Sequence, residues 1–358
     1  MPSTHTRMWP IWLLATGLVL TAGLTHADSM QPDWPRFNHQ AVQQHILPRY
    51  AQLDTHTAEL SRAATALCQA PSEEALNRTR NAWREAMHAW QGIQHVQFGP
   101  VQFLMRNFGL EFWPDRKNIG ARQLRQALAS ELPYDAEFFR HASVSIQGFP
   151  ALERLLFADN ALTQLQQGRH CELTQAISSH VAQVGHAIHQ EWQTLAANDF
   201  PPEQEPVRAA EQAVDLMAAL VEPIEAIRDS KLLKPMGSSP ENARPKLLES
   251  HRSGNSLANI RHNLVALSEL YQGTNPSVDS LLQQAGKADL ALDIRQTFTA
   301  LISTFEQLDP PLKAALTRPN THQQLLDITA RLKHLSEQLD SAMGVLNIQL
   351  GFNSRDGD

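Results

Sequence analysis

Helix-period spacing of apolar residues runs through this chain and restricts it to helical folds. In residues 322–350, apolar side chains recur every three or four positions, at Leu325, Ile328, Leu332, Leu335, Leu339 and Met343. On a helix this spacing forms one stripe, which is buried against a neighbouring element. Alternating runs of β-branched residues, the pattern of strands, are almost absent. We therefore predict an all-α fold.

Similar patterns predict further helices along the chain. One covers about 40–69 and is bent near Pro48, and a second begins after Ser72, where Glu73 and Glu74 suit the positive end of a helix. Another begins near Tyr134 and carries the run FPALERLLF. The remaining predicted helices lie at about 121–130, 171–197, 206–231, 256–271 and 289–307.

Proline, glycine and serine become frequent between residues 234 and 254, which predicts a connection rather than a helix. We therefore predict two packed helical bundles, the first over 28–233 and the second over 255–358, joined by 234–254.

The N-terminus predicts export. Arg7 precedes an uncharged apolar stretch at 9–24, and small residues then offer a cleavage site, so residues 1–27 are interpreted as a signal peptide. An uncleaved N-terminal anchor is the alternative. No later stretch is apolar enough to span a bilayer. The chain is therefore predicted to be periplasmic, with no transmembrane segment after cleavage.

The net charge narrows the classes of binding partner, and the cysteine content bears on whether the chain contains a disulfide. The formal net charge is −7, which disfavours nucleic acid and anionic membranes as partners. Cys68 and Cys171 are the two cysteines. An oxidising compartment would allow them to form a disulfide, and two unpaired buried thiols are the alternative.

Glu153 is the residue that most suggests a site. Its neighbours three and four positions away along a helix are Phe149, Pro150, Leu156 and Phe157, all apolar. An unpaired buried carboxylate is costly, so Glu153 is expected either to have a partner or to face a cavity. Pro150 either breaks a helix and frees a carbonyl, or lies in the first turn of a new helix.

A polar segment at 249–256 offers partners for this acid. Arg252 is the candidate cation, with Arg154 and Arg106 as alternatives. Ser253 or Ser256 suits the N-cap of the following helix.

Sequence motifs for catalysis, phosphate binding or metal binding are weak or missing. There is no GxSxG sequence and no glycine-rich phosphate loop, so no catalytic residue is assigned. His186 and His189 are three apart on a predicted helix, but this polar segment is interpreted as a solvated face rather than a metal site.

Several motifs, taken in order, resemble the imelysin family (peptidase M75-like). They are LCQAPSEEALNRTRNAWREAMHAWQGIQHVQFGP, FWPD, GFPALERLLF and ESHRSGNS. The resemblance implies two helical bundles, periplasmic export, an association with iron uptake, and cysteines where Cys68 and Cys171 stand. Family members carry Gly-x-His-x-x-Glu, proposed to bind metal. Here Gly148 and Glu153 match, but Pro150 replaces the histidine, as in a Gly-x-Pro-Ala-x-Glu subgroup. This substitution argues against peptidase activity and against the family's metal site.

The function predicted from these observations is non-catalytic binding at a cleft between the bundles. The candidate binding residues are Gly148, Pro150, Glu153, Glu249, Arg252 and Ser253, and Glu153 is also a candidate metal ligand. By resemblance alone, the cofactor is iron or haem and the partners are envelope or outer-membrane iron-uptake proteins. The alternatives are a structural or interaction module of the envelope, and an M75-type metallopeptidase.

Overall fold

Helices make up all the regular secondary structure in residues 32–308 and 311–351, the part of the chain that this computed structural model describes. This confirms the all-α prediction. The α-helices of these residues are α1 (Trp34–Ala41), α2 (Leu47–Gln69), α3 (Glu73–Gln91), α4 (Arg106–Leu110), α5 (Ile119–Ala129), α6 (Ala136–His141), α7 (Phe149–Leu156), α8 (Ala161–Leu165), α9 (His170–Asp199), α10 (Pro206–Glu225), α11 (Lys234–Met236), α12 (Ser256–Gln272), α13 (Val278–Gln284), α14 (Ala288–Gln307), α15 (Leu312–Ala315) and α16 (Pro319–Val345).

Two π-helical segments interrupt the α-helices, at Val42–Ile46 and Ala226–Leu233. The first lies between α1 and α2, just before Pro48, where the sequence predicts a bend. Proline has no N–H to continue the regular hydrogen-bond ladder, which accounts for an irregularity at this point. Short 3₁₀ helices occur at Gly99–Met105, Val144–Ile146, Pro240–Asn242 and Pro245–Leu247.

The predicted helix from Tyr134 through FPALERLLF was wrong. The chain instead forms α6, a 3₁₀ turn at Val144–Ile146, and then α7, which begins at Phe149. The break lies at Gly148, which has an extended backbone. The acid Glu153 therefore lies in a short helix that starts only four residues before it.

A serine N-cap explains where helix α3 begins, and a buried apolar stripe explains how it packs. Ser72 is its N-cap, and Ser72 Oγ accepts a hydrogen bond from the Ala75 N–H at 3.2 Å. Trp83, Met87 and Trp90 lie on one buried stripe. They bring α3 against α2, α7 and α12, so this helix passes behind the region where Glu153 lies.

Helix α2 packs along α9, and a disulfide between Cys68 and Cys171 joins these two helices. This confirms the predicted pairing of the cysteines over the alternative of free thiols. Farther along the chain, α10 packs against α1 and α16, and α14 packs against α12 and α16. One continuous hydrophobic core results.

The predicted bounds of the two bundles, 28–233 and 255–358, stay a prediction. Helices α10 and α16, placed in different bundles by that prediction, pack against each other. The predicted signal peptide, residues 1–27, lies outside the described residues. Within the residues that the structure does describe, no helix has both the length and the apolar character needed to cross a membrane.

Candidate functional site

The Glu153 carboxylate is buried and accepts hydrogen bonds from the loop before α12. Glu153 Oε1 accepts from the backbone N–H groups of Arg252 and Ser253, at 3.0 and 2.9 Å, and from Ser253 Oγ at 2.8 Å. Burial raises the pKa of Glu153, while the Ser253 hydrogen bonds and the Arg252 charge oppose that rise. This acid therefore ties α7 to a loop that lies 100 residues later in the chain.

Among the three arginines considered from the sequence, Arg252 is the neighbour of this acid. Arg252 Nη1 lies 3.9 Å from Glu153 Oε2. Arg154 instead contacts Asp115, with Nη2 and Oδ2 3.4 Å apart. Arg106 forms a two-pronged pair with a carboxylate of α9, at 2.7 and 2.8 Å. Since backbone groups supply most of the close contacts to Glu153, the arginine assists them rather than acting alone.

The first turn of α7 explains Gly148 and Pro150. A Cβ added to Gly148 would lie 2.1 Å from the carbonyl oxygen of Leu110, so only glycine fits there. Pro150 is the second residue of α7, where its missing N–H leaves no hydrogen bond unmade. This confirms the alternative that placed Pro150 in the first turn of a new helix.

The predicted capping of α12 by serine was wrong. Asn255 is the N-cap residue, and no side chain makes the capping hydrogen bond. Ser253 Oγ donates to Glu153 instead, and Ser256 Oγ donates to the backbone carbonyl of Glu249. Both hydroxyls therefore hold the loop at 249–254 rather than the start of the helix.

Glu249 belongs to a buried polar network that also contains Lys231, Gln91, Asn263 and Glu111. Lys231 Nζ lies 2.9 Å from each carboxylate oxygen of Glu249. It also donates to Gln91 Oε1 at 2.7 Å and to Asn263 Oδ1 at 2.8 Å. From α12, Asn259 Nδ2 donates to Glu249 Oε2 at 2.8 Å. The Lys231 ammonium thus has a partner for each of its three protons.

Glu111 completes the polar network as a second carboxyl group. Its Oε2 accepts from the Trp90 indole N–H at 2.7 Å and from Gln91 Nε2 at 3.1 Å. Burial and the charge of Glu249 raise the pKa of Glu111 well above its usual value, although Lys231 opposes this. Burial and the neighbouring carboxylate therefore favour the protonated form of Glu111.

A pair of histidines lies near this network. Arg49 Nε donates to His45 Nδ1 at 3.3 Å, and His45 Nε2 lies 2.9 Å from His95 Nε2. Because arginine only donates, His45 carries its proton on Nε2 and passes a hydrogen bond to His95. Burial and the Arg49 charge lower the pKa of His95 to about 3, so its ring is neutral. The proton of His95 is then on Nδ1, which has no hydrogen-bond partner within the described residues.

Two neighbouring cavities open onto these groups. The large cavity, about 560 Å³, is bordered by Lys231, Glu249, Glu111 and His95 of the groups above. Its apolar lining comes mainly from Trp90, Phe98, Phe108, Trp113, Ile227 and Leu267. The small cavity, about 80 Å³, is lined by Pro150, Glu153 and Arg252, among others. The two share Glu111, Trp113 and Pro114 as lining residues.

The structure brings the residues singled out from the sequence to one region. Glu153, Arg252 and Ser253 contact one another, while Glu249 lies at the other end of the same loop. Residues 32–308 and 311–351 contain no group of three or more His, Cys, Asp or Glu side chains that is placed to hold a metal ion. The candidate metal ligand Glu153 already accepts three hydrogen bonds on Oε1.

Sequence reasoning missed most of the polar network, namely Lys231, Glu111, Gln91 and Asn263. The sequence did contain one indication of this network. Asn259 and Asn263 are four residues apart, so their side-chain amides share one face of α12, a helix with many buried residues.

Comparison with known proteins places these features in context. A family model described as imelysin (peptidase M75) matches residues 46–341. The chain is 22% identical to an iron-regulated protein A of Synechococcus elongatus over 316 residues, which is 84% of this chain and 83% of that protein. An imelysin-like protein from Psychrobacter arcticum has a similar solved structure, with a TM-score of 0.75, 21% identity, and coverage of 89% of this chain and 97% of that one. A putative iron-regulated protein A precursor from Parabacteroides distasonis gives a TM-score of 0.62 at 17% identity, covering 88% and 97%.

Proposed function

The chain belongs to the imelysin family, and on that premise we propose that it is an exported periplasmic binding protein that holds an organic ligand in the large cavity. The observation that carries this proposal is the polar network at a cavity whose lining includes the aromatic side chains of Trp90, Phe98, Phe108 and Trp113. Small-molecule sites are typically concave, mostly apolar and about 300–1,000 Å³, with a few fixed polar groups that orient the ligand. The large cavity, at about 560 Å³, has all of these properties.

The ligand class that we propose is haem or an organic complex of iron. Two of the relatives, from Synechococcus elongatus and Parabacteroides distasonis, are named as iron-regulated proteins. We extend an association with iron to this chain, with envelope or outer-membrane iron-uptake proteins as partners. The size of the large cavity suits a molecule of several rings or arms rather than a bare ion.

Within this proposal, the residues have distinct roles. Lys231 and Glu249 place a fixed ion pair at the wall of the large cavity, and His95 adds a neutral imidazole ring to that wall. Glu153 is a positioning residue, because it holds the loop on which Glu249 lies. Pro150 takes the place of a motif histidine, and we assign the chain to the Gly-x-Pro-Ala-x-Glu subgroup with a binding rather than a hydrolytic role.

Export is supported by the disulfide between Cys68 and Cys171, since such bonds persist mainly in oxidising compartments. Expression of the full chain in a Gram-negative host, followed by fractionation and N-terminal sequencing, tests this part. We expect a periplasmic product that begins at Asp28. A cytoplasmic product with an intact N-terminus would contradict export.

The binding proposal is tested by filling the large cavity without touching its charged groups. Ala218 lines the cavity, so Ala218→Trp should occlude it. Native mass spectrometry and absorption titration with haemin and with ferric citrate should show one equivalent bound by the wild type. Ala218→Trp should weaken that binding at least about tenfold, because the indole ring then occupies the volume that the ligand needs.

Ala300→Trp is the matched control, because Ala300 lies on an exposed face of α14. It should bind as the wild type does. If neither probe binds to the wild type, the iron proposal fails. If Ala218→Trp and Ala300→Trp bind equally well, the ligand lies elsewhere.

A second candidate, an interaction module of the envelope, is favoured by one observation. The exposed side chains of Phe103, Leu104, Met105 and Phe108 form an apolar patch, with Leu104 91% exposed. In a periplasmic pull-down, Leu104→Ser should lose a partner that the wild type retains. Identical partners for both proteins would count against this role.

A further inference from the structure

Another concave surface, rich in positive charge, lies beside the small cavity. It has a volume of about 720 Å³, and we call it the basic basin. Four cationic side chains line it: Arg154 near the end of α7, Lys246 and Arg252 before α12, and Lys313 on α15. They come from three separate parts of the sequence. The chain as a whole is acidic, with a formal net charge of −7, so this concentration of cations is local.

The carboxylates of the basic basin do not neutralise it. Asp115 and Asp159 are its two acidic lining residues, against four cationic ones. Asp115 is already engaged, because it accepts from the N–H groups of Ile119 and Gly120 at 2.7 and 2.9 Å and contacts Arg154. Asp159 is exposed to solvent. Positive charge therefore remains in excess inside the basin.

The cations on the loop and on α15 are available to a ligand. Lys246 and Lys313 are exposed, and within the described residues neither has an ion-pair partner. Among the residues that the structure describes, the Arg252 guanidinium has one carboxylate neighbour, Glu153, at 3.9 Å. The combined field acts on His251, whose pKa falls to about 4 because of burial and the charges of Arg252 and Lys313. The cationic side chains of the basic basin thus concentrate positive electrostatic potential on one concave surface.

We propose that the basic basin binds a small organic anion that carries two or more carboxylate or phosphate groups. Guanidinium groups pair with both kinds of oxyanion, and lysines add point charges around them. The volume of the basin is much larger than one ion needs, which favours a molecule with several charged groups. The basin shares no lining residue with the large cavity, so this site is additional to the one in the proposed function.

Isothermal titration calorimetry on the full-length mature protein in low-salt buffer tests this site with three probes: citrate, pyrophosphate and inorganic phosphate. We expect citrate or pyrophosphate to bind, and inorganic phosphate to bind more weakly because it spans fewer of the cations. The double substitution Lys246→Gln with Lys313→Gln should weaken binding about tenfold, since each lysine contributes a screened charge–charge contact. Both lysines are exposed, so the fold should be retained.

The matched control is Lys287→Gln with Lys333→Gln, which removes the same charge from exposed lysines outside the basin. Binding of citrate alone identifies a carboxylate ligand, and binding of pyrophosphate alone identifies a phosphate ligand. If inorganic phosphate binds as tightly as the larger probes, or if the control weakens binding as much as the basin variant does, the proposal is overturned. Failure of all three probes to bind the wild type overturns it as well.

Discussion

Glu153 offers a test that separates the hydrogen-bond acceptor from the negative charge. Glu153→Gln keeps an acceptor oxygen of similar reach, whereas Glu153→Ala removes it. The backbone N–H groups of Arg252 and Ser253 and the Ser253 hydroxyl all donate to this one oxygen. Loss of the oxygen therefore leaves the two backbone N–H groups without a partner in a mostly buried place, whereas the Ser253 hydroxyl can still donate to the Ser250 carbonyl at 3.0 Å.

The two substitutions should differ by several kcal/mol. A buried donor without its partner costs about 1–3 kcal/mol, so Glu153→Ala should lower the free energy of unfolding by roughly 3 kcal/mol or more. Glu153→Gln gives up the charge, but burial makes the charged form the less favoured one here, as the raised pKa indicates. Its effect near neutral pH should therefore stay within about 1 kcal/mol.

The raised pKa of Glu153 also fixes the sign of a pH dependence. Between the ordinary glutamate pKa of 4.5 and the raised value, the folded protein binds more protons at this site than the unfolded chain does. Stability from this group is therefore present below pH 4.5 and is lost as pH rises through the raised pKa. The wild type should lose stability relative to Glu153→Gln over that range.

Urea denaturation followed by circular dichroism, repeated from about pH 4 to pH 7, measures all three proteins. The role of Glu153 as a hydrogen-bond acceptor is refuted if Glu153→Gln destabilises as much as Glu153→Ala. The sign of the pH dependence is refuted if the wild type gains stability over Glu153→Gln as pH rises, because the charge would then stabilise the fold.

Three further predictions concern stability. Reduction of the Cys68–Cys171 disulfide should lower the free energy of unfolding by about 4–5 kcal/mol, the chain-entropy value for a loop near 100 residues, as measured by urea denaturation with and without a reductant; an unchanged midpoint would contradict it. Lys231→Met should cost about 3–5 kcal/mol because it leaves the buried Glu249 carboxylate without its cation, and a thermal melt within a degree of wild type would exclude this. Gly148→Ala should cost about 1–3 kcal/mol, since its Cβ would meet the Leu110 carbonyl, and denaturation equal to wild type would show that the backbone moves freely there.

The fold was more predictable from the sequence than the site was, because a helix is determined largely by residues that are neighbours in the chain. The stripe on α16, the cap at Ser72 and the bend near Pro48 all follow from neighbours a few residues apart. The stripe and the cap are present as expected, and near Pro48 the structure has a π-helical irregularity at Val42–Ile46. The error around FPALERLLF arose at Gly148, where the chain breaks because the carbonyl of Leu110 lies close by. No pattern in the surrounding sequence indicates that Gly148 and the Leu110 carbonyl lie close together.

The polar network was hidden for the same reason. Lys231 contacts Gln91, which is 140 residues away in the chain, and Asn263 contacts the same glutamine from 172 residues away. Lys231 also lies in a π-helical segment, which moves its side chain off the face that a regular helical period would give. Glu153 was detectable because its own neighbours are apolar, and Arg252 because it follows in a distinctly polar segment.

The disulfide closes residues 68–171 into a covalent ring, with a sequence separation of 103. That ring contains the exposed apolar tip at Leu104, a natural target for a protease that prefers large apolar residues. A single cut there would release no fragment, because the disulfide still joins the two pieces. The nicked protein would run as one band on a non-reducing gel and as two after reduction. Since Glu111 and Glu153 also lie within the ring, both would stay attached to the remainder of the chain after such a cut.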